Sequence, residues 1–201
     1  MGRNYNIYDK MPTDNSSFTL AVDDDLREKM YRHVLGDDFS ENDIRDGFCI
    51  EWDDIDRPEE ESIGNAKQGF IAEAALSQLF EQAGIEHKWD GSEGADDLVV
   101  HGKTIDVKTR ASKCEYRNLI KDYCMSNSDT VDFYFLCNVH YHPVDRNRIT
   151  AVEFLGYISN EEFEQVCQPV KLYDHYESKK AECTPNQLKP IEDFINIAQM
   201  F

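Results

Sequence analysis

Residues Gly94 to Arg110 read GADDLVVHGKTIDVKTR, and the fold is decided there. Asp97–His101 and Thr104–Arg110 are two strand-like runs meeting at His101-Gly102. That pair suits a two-residue hairpin turn, because glycine accepts the positive φ such turns require. With this turn, Val100 opposes Lys103, Val99 opposes Thr104, Leu98 opposes Ile105, and Asp97 opposes Asp106. Directly opposed residues share a face, and Lys108, two positions beyond Asp106, joins it. Leu98, Val100, Ile105 and Val107 make the other, apolar face. Any loop of even length selects Asp97, and an odd loop would substitute Asp96. The His-Gly turn favours Asp97, with Asp96 a turn residue or a support behind the ligands, and the choice between the two stays open.

Two carboxylates opposed at ~5 Å between Cβ atoms repel one another, which raises one pKa unless a cation intervenes. Hard oxygen ligands with room for water suit Mg²⁺, with Mn²⁺ as a substitute. Lys108 beside them can orient an attacking water or stabilise developing negative charge. Taken alone, Asp106 and Lys108 also fit an exposed ion pair on a strand. Glu73 points the other way. Ile63 to Ala83 reads as a helix stopped by Gly84. On it Ala66, Gly69, Phe70, Leu76 and Phe80 surround Glu73 at helical spacing. An acid inside an apolar face is costly unless paired or metal-bound. Gly69, one turn earlier, leaves space for a ligand beside it.

Outward from this stretch, Ile85 to Trp89 reads as a short strand. A helix is expected after the hairpin, from the spacing of Tyr116, Leu119, Ile120, Tyr123 and Cys124. Val131–Val139 and Ile149–Ile158 read as buried strands, Glu161–Cys167 as a short helix, and Leu188–Met200 as an amphipathic one. The order predicts an α/β fold, a mixed sheet with helices on its faces.

Gly69-x-x-x-Glu73 on a helix, then Asp97, then Asp106-Val107-Lys108 on the next strand, resembles the PD-(D/E)XK nuclease superfamily. The likeness covers about Ile63 to Ile158. It implies a restriction-endonuclease-like αβββαβ core and Mg²⁺-dependent hydrolysis of DNA phosphodiester bonds. It further implies Glu73, Asp97 and Asp106 as metal ligands, a backbone ligand at Val107, and Lys108 as the catalytic lysine. Ala95-Asp96 stands where the family has proline before its first aspartate. Cutting both strands of a duplex needs two sites, which puts a homodimer among the expected partners.

Charge decides where DNA could lie. The 201 residues carry 21 Lys+Arg and 40 Asp+Glu, a net charge of −19, and a polyanion repels DNA unless the charge is locally reversed. From Lys103 to Lys121 the local charge is +4, against −23 for the remainder. Arg110, Lys113, Arg117 and Lys121 are therefore the expected DNA contacts, the last three along one face of the expected helix. Arg146 and Arg148, in the loop after Val139, are further candidates. His140 and His142 share a strand face and are read as solvated residues at a strand end rather than metal ligands. Residues 1–62 hold 18 acids and 7 Lys/Arg and read as an acidic extension with one helix, Asp24 to Leu35, ahead of a nuclease-like domain at 63–201.

No apolar run is long enough to span a membrane. The N-terminus has no apolar signal core, so a cytoplasmic protein is expected. The six cysteines form no C-x-x-C and no zinc-knuckle spacing, and with no signal peptide they are expected reduced. The rival function is a non-catalytic binding or regulatory protein on a nuclease-like fold, using its acidic surface for a protein partner or as a DNA mimic.

Overall fold

The computed structural model describes residues 17–40, 59–89, 97–111, 119–122, 131–145, 148–169 and 180–200. In chain order the elements are β1 (Phe18–Ala21), α1 (Asp24–Leu35), α2 (Glu59–Gln82), β2 (His87–Trp89), β3 (Leu98–Val100) and β4 (Lys103–Ala111). There follow β5 (Leu119–Asp122), β6 (Phe133–Tyr141), β7 (Ile149–Ser159), α3 (Asn160–Val166), β8 (Gln168–Pro169), β9 (Lys180–Cys183) and α4 (Ile191–Ala198). A 3₁₀ turn at Pro185–Gln187 precedes α4.

The main sheet has six strands in the order β1-β7-β6-β4-β3-β2. It is mixed: β4 and β6 run parallel, and the other neighbours are antiparallel. β6, FYFLCNVHY, is buried along most of its length, as a near-continuous apolar run predicts for a strand covered on both faces. The period-2 alternation assigns the two faces. Ile105, Val107, Phe135, Cys137, Val139 and Phe154 pack in one core. Tyr134, Leu136 and Ile158 join another.

α2 covers the first face. At 24 residues it is about 36 Å long, and Ala66, Ala72, Ala74 and Ala75 are all buried. These small side chains let it pack between the sheet and α1, whose Leu26 and Met30 lie in the same core. α1 is capped by Asp23, whose side chain accepts from the Leu26 N–H at 2.9 Å, with Asp24 and Asp25 in the first turn favouring the helix dipole. From the C-terminal end, Phe194 of α4 inserts among Phe133, Phe135 and Tyr157 with ring centroids 5.0–5.2 Å away. Beyond the second face, Leu119 of β5, Phe163 of α3, and Ala181 and Cys183 of β9 close the smaller core. β5, β9 and β8 form their own three-stranded sheet.

Gly156 is fixed by a close approach. Its φ is +138°, and a Cβ there would lie 2.5 Å from the Lys189 carbonyl oxygen. The neighbouring Tyr157 exchanges backbone hydrogen bonds with Lys189 at 2.9 and 2.8 Å, which holds the segment leading into α4 against β7.

The structure corrects several expectations. Leu119–Asp122, read as part of a helix, is a strand paired antiparallel to β9, Leu119 opposite Cys183. Four residues carry too little periodicity to separate helix from strand, and a buried Leu119 with a non-local partner decides the matter. The rest of the expected Tyr116–Cys124 helix lies outside the described residues. Phe18–Ala21, read as loop in an acidic extension, pairs with β7 from Phe18 opposite Phe154 to Ala21 opposite Ala151. β1 and α1 are thus built into the main sheet and core, while α1 has the expected bounds. Among the described residues, no helix is long and apolar enough to cross a membrane, and Cys137, Cys167 and Cys183 are free thiols.

Candidate active site

The hairpin has the expected register. Leu98 pairs with Ile105, Val99 with Thr104 and Val100 with Lys103, around a turn with φ of 50° at His101 and 78° at Gly102. These two positive φ angles are what a two-residue hairpin turn needs. Asp97 precedes β3 by one residue, so the same register continues to Asp106. Asp96 lies outside the described residues.

Glu73 reaches this hairpin from α2. Its residue exposure is 7%, and its Oε2 accepts a hydrogen bond from Trp89 Nε1 at 3.1 Å. Burial pushes the carboxyl up to about 7; the Trp89 bond and Lys108 pull it down, and Asp106 adds repulsion. Asp97 is raised well above the carboxylate range, first by desolvation, then by the charges of Glu73 and Asp106. The Val107 N–H, donating to Asp97 Oδ2 at 2.6 Å, offsets part of this. Lys108 Nζ sits 2.7 Å from Asp106 Oδ2, its side chain 38% exposed. Burial works against the ammonium, but Asp106 and then Asp97 outweigh it, and the Lys108 pKa is raised.

Four expected residues are therefore brought together. Two mutually repelling carboxylates, buried Glu73 and half-buried Asp97, stand beside a partly exposed Asp–Lys pair. Gly69 lies one turn from Glu73, where a Cβ would come 3.8 Å from Glu73 Oε1. Among the described residues, no three His, Cys, Asp or Glu side chains are already drawn together as a metal-holding group. Asp97 is engaged by Val107 and Asp106 by Lys108. The donor set nonetheless fits a divalent cation: its oxygens are hard ligands, and the repulsion that raises Glu73 and Asp97 is what a cation would relieve.

Trp89 belongs to no sequence motif of the site. The one sequence signal is its place at the end of β2, opposite Leu98 and so next to Asp97. Its ring also stacks on His33 of α1, with centroids 3.6 Å apart and planes 9° from parallel. α1 thus props the indole that holds Glu73.

The expected DNA contacts fare differently. Arg110 lies on β4, two residues beyond Lys108 and on its face. Lys113, Arg117 and Arg146 are outside the described residues. Lys121 lies on β5, so the helical row expected to join it to Lys113 and Arg117 does not extend to it. Arg110 is level with Asn138 on β6, which is level with Glu153 on β7. His140, expected to be solvated, instead pairs through Nε2 with Glu153 Oε2 at 3.0 Å. Asn138 Nδ2 donates to that same oxygen at 3.1 Å, and the Glu153 pKa is held down to about 2, first by the His140 bond. His142 Nδ1 accepts from the Val144 and Asp145 N–H groups, so the two imidazoles serve separate partners.

Compared with family models, with curated proteins and with solved structures, the chain matches none of them.

Proposed function

We propose that this protein is a Mg²⁺-dependent DNA nuclease with a restriction-endonuclease-like core. The observation that carries the reading is the convergence of Glu73 and Asp97, both drawn out of bulk water, on the Asp106–Lys108 pair. Supporting it, a long helix is followed by three antiparallel strands and then a strand parallel to the third. That order fits the αβββαβ core, with the four residues of β5 forming a strand in the segment between β4 and β6.

Glu73, Asp97 and Asp106, with the Val107 carbonyl, would hold the metal. When bound there, Mg²⁺ supplies positive charge at the scissile phosphate and lowers the pKa of a coordinated water. Lys108 holds and orients the attacking water for in-line displacement, and its charge offsets that developing on the phosphate. Trp89 fixes the Glu73 carboxylate through its indole N–H. The partly open Lys108 gives a substrate access while the carboxylates beneath it stay out of bulk water.

The test is incubation with linear, circular, branched and single-stranded DNA in Mg²⁺, Mn²⁺ or EDTA. Cleavage should require a divalent ion and disappear in Asp106→Asn. Metal-independent cleavage, or equal cleavage by Asp106→Asn, would remove the mechanism. No cleavage of any substrate, with no divalent-ion binding, would favour a binding protein.

A further inference from the structure

A nuclease needs a seat for the strand it cuts, and the basic helical row expected to provide one does not reach Lys121. A different basic site lies nearby. A cavity of about 410 Å³ opens between α1, the N-terminal half of α2 and the β6–β7 loop. Three cationic side chains line it from three separate elements: Arg27 of α1, Lys67 of α2 and Arg148 of the loop. In a chain of net charge −19, three cations against two acids, Asp24 and Asp145, leave a local excess of one positive charge.

Asp24 is ion-paired with Arg27. The other guanidinium nitrogen donates to the Val22 and Ile149 carbonyls at 2.8 and 2.9 Å. Arg27 is thereby fixed in place and tied to β7, with its charge matched by Asp24. Lys67 is half-buried, and desolvation pulls its pKa below the ordinary lysine value. An anion beside it would favour the charged form. Arg148 is exposed at the rim, and Ile71 and Ile149 give the cavity an apolar floor.

Topology puts this cavity farther along the sheet than the carboxylates: Asp106 is level with Tyr134 near the start of β6, and the cavity lies past its other end, lined by Asp145, Arg148 and Ile149. α2 leads into β2, whose His87 pairs with Val100 beside the His101-Gly102 turn. The N-terminal half of α2 therefore lies at the opposite end, where β6 finishes and its loop to β7 begins. Lys67 and Glu73 are six residues apart on α2, ~9 Å along its axis. A strand running along α2 from one to the other spans a few consecutive phosphates.

We infer that this cavity seats a backbone phosphate of the DNA strand that the carboxylate site cuts, a few nucleotides from the scissile bond. The inference rests on the nuclease reading. Lys67 and Arg148 contact the phosphate, and Arg27 forms the fixed wall behind it.

The test uses the full chain in a Lys108→Ala background, so that DNA persists in Mg²⁺. Fluorescence anisotropy of labelled single-stranded and duplex DNA is recorded over a series of salt concentrations. Adding Lys67→Gln and Arg148→Gln together should weaken binding about tenfold or more. The slope of log K against log salt should become shallower by about 0.9 for each duplex phosphate that is no longer neutralised. Arg148→Gln alone, at an exposed position that leaves the core untouched, should show part of the same change. An unchanged affinity and slope in the double variant, with the background still binding DNA, would overturn the phosphate seat and leave the nuclease reading standing. NMR titration with inorganic phosphate and with a mononucleotide gives a second arm. Small phosphates filling the cavity while DNA fails to bind would make it a small-anion site and overturn the inference. Absence of both DNA binding and divalent-ion binding would sink the inference and the nuclease reading together.

Discussion

Glu73→Gln should stabilise the metal-free protein at pH 8. The Glu73 residue is 7% exposed, and its carboxyl pKa rises from 4.5 to about 7 on folding, chiefly through desolvation. Each unit of such a shift corresponds to about 1.4 kcal/mol, so ionising Glu73 in the fold costs on the order of 3 kcal/mol. The sign follows from proton binding. The folded state holds this proton more tightly than the unfolded state, so the Glu73 contribution to stability is full below about pH 4.5 and is lost as pH rises through about 7. Asp97, raised by the same neighbours, adds to the slope. Glutamine keeps the shape and an oxygen for the Trp89 N–H but never ionises. Urea unfolding in EDTA should find the variant about 2–3 kcal/mol more stable than the parent at pH 8. Near pH 4.5 the two should converge. At pH 8 the gain corresponds to about 5–10 °C in Tm for a chain of this size. Under the proposed function, Mg²⁺ should stabilise the parent, by about 3 kcal/mol at a hundredfold excess over Kd, and should stabilise the variant far less. A variant no more stable than the parent at pH 8, or a parent with no loss of stability between pH 4.5 and 7, would refute the argument that Glu73 is held buried against its charge.

Lys108→Ala should keep its fold and its divalent-ion affinity, measured calorimetrically, and lose about two orders of magnitude or more in cleavage rate, as for removal of one preorganised charge-stabilising group; cleavage at the parental rate would contradict the proposed role. Gly156→Ala should fail to accumulate as folded protein or lose several kcal/mol in denaturant unfolding, since its Cβ would meet the Lys189 carbonyl oxygen at 2.5 Å on a backbone with φ of +138°, a mix of overpacking and strain; an unperturbed Tm would mean the β7 packing is not this tight. Phe194→Ala should cost ~3–5 kcal/mol, because the ring is 4% exposed and packs on Phe133, Phe135 and Tyr157; urea unfolding would find a smaller loss if α4 were only a loosely docked tail.

Much of the main sheet was legible because its signals are local. His101-Gly102 fixes a turn, the turn fixes parity, and parity puts Asp97, Asp106 and Lys108 on one face. β6 and β7 announce themselves as long apolar runs. The strands that escape a sequence reading share the opposite property. β1 is four residues long and finds its partner about 130 positions away. β5 pairs with β9 across some 60 positions, and its LIKD satisfies helical and strand spacing equally. For such segments the deciding energy is burial against a distant partner, Leu119 against the second core, and no local pattern encodes it. Lys121 leaves the expected Lys113–Lys121 row for the same reason, since it lies on β5.

The site was legible where it violates the rules the rest of the chain obeys. An acid among Ala66, Phe70, Leu76 and Phe80 on one helical face is a local conflict, and such conflicts concentrate where function opposes stability. What the conflict cannot reveal is how it is held. The Trp89 N–H on Glu73 and the Val107 N–H on Asp97 are each a single donor to a desolvated carboxylate, and His33 behind Trp89 comes from a helix about 40 residues upstream of Glu73. Each carboxylate is therefore fixed in direction but only partly compensated in charge. The two donors lower the carboxyl pKa values while desolvation and mutual repulsion raise them further, and the balance leaves two acids with an unmet demand for positive charge. Lys108 meets part of it and is itself already engaged by Asp106. The large core on α2 sustains that remainder, and under the proposed function a divalent cation would meet it.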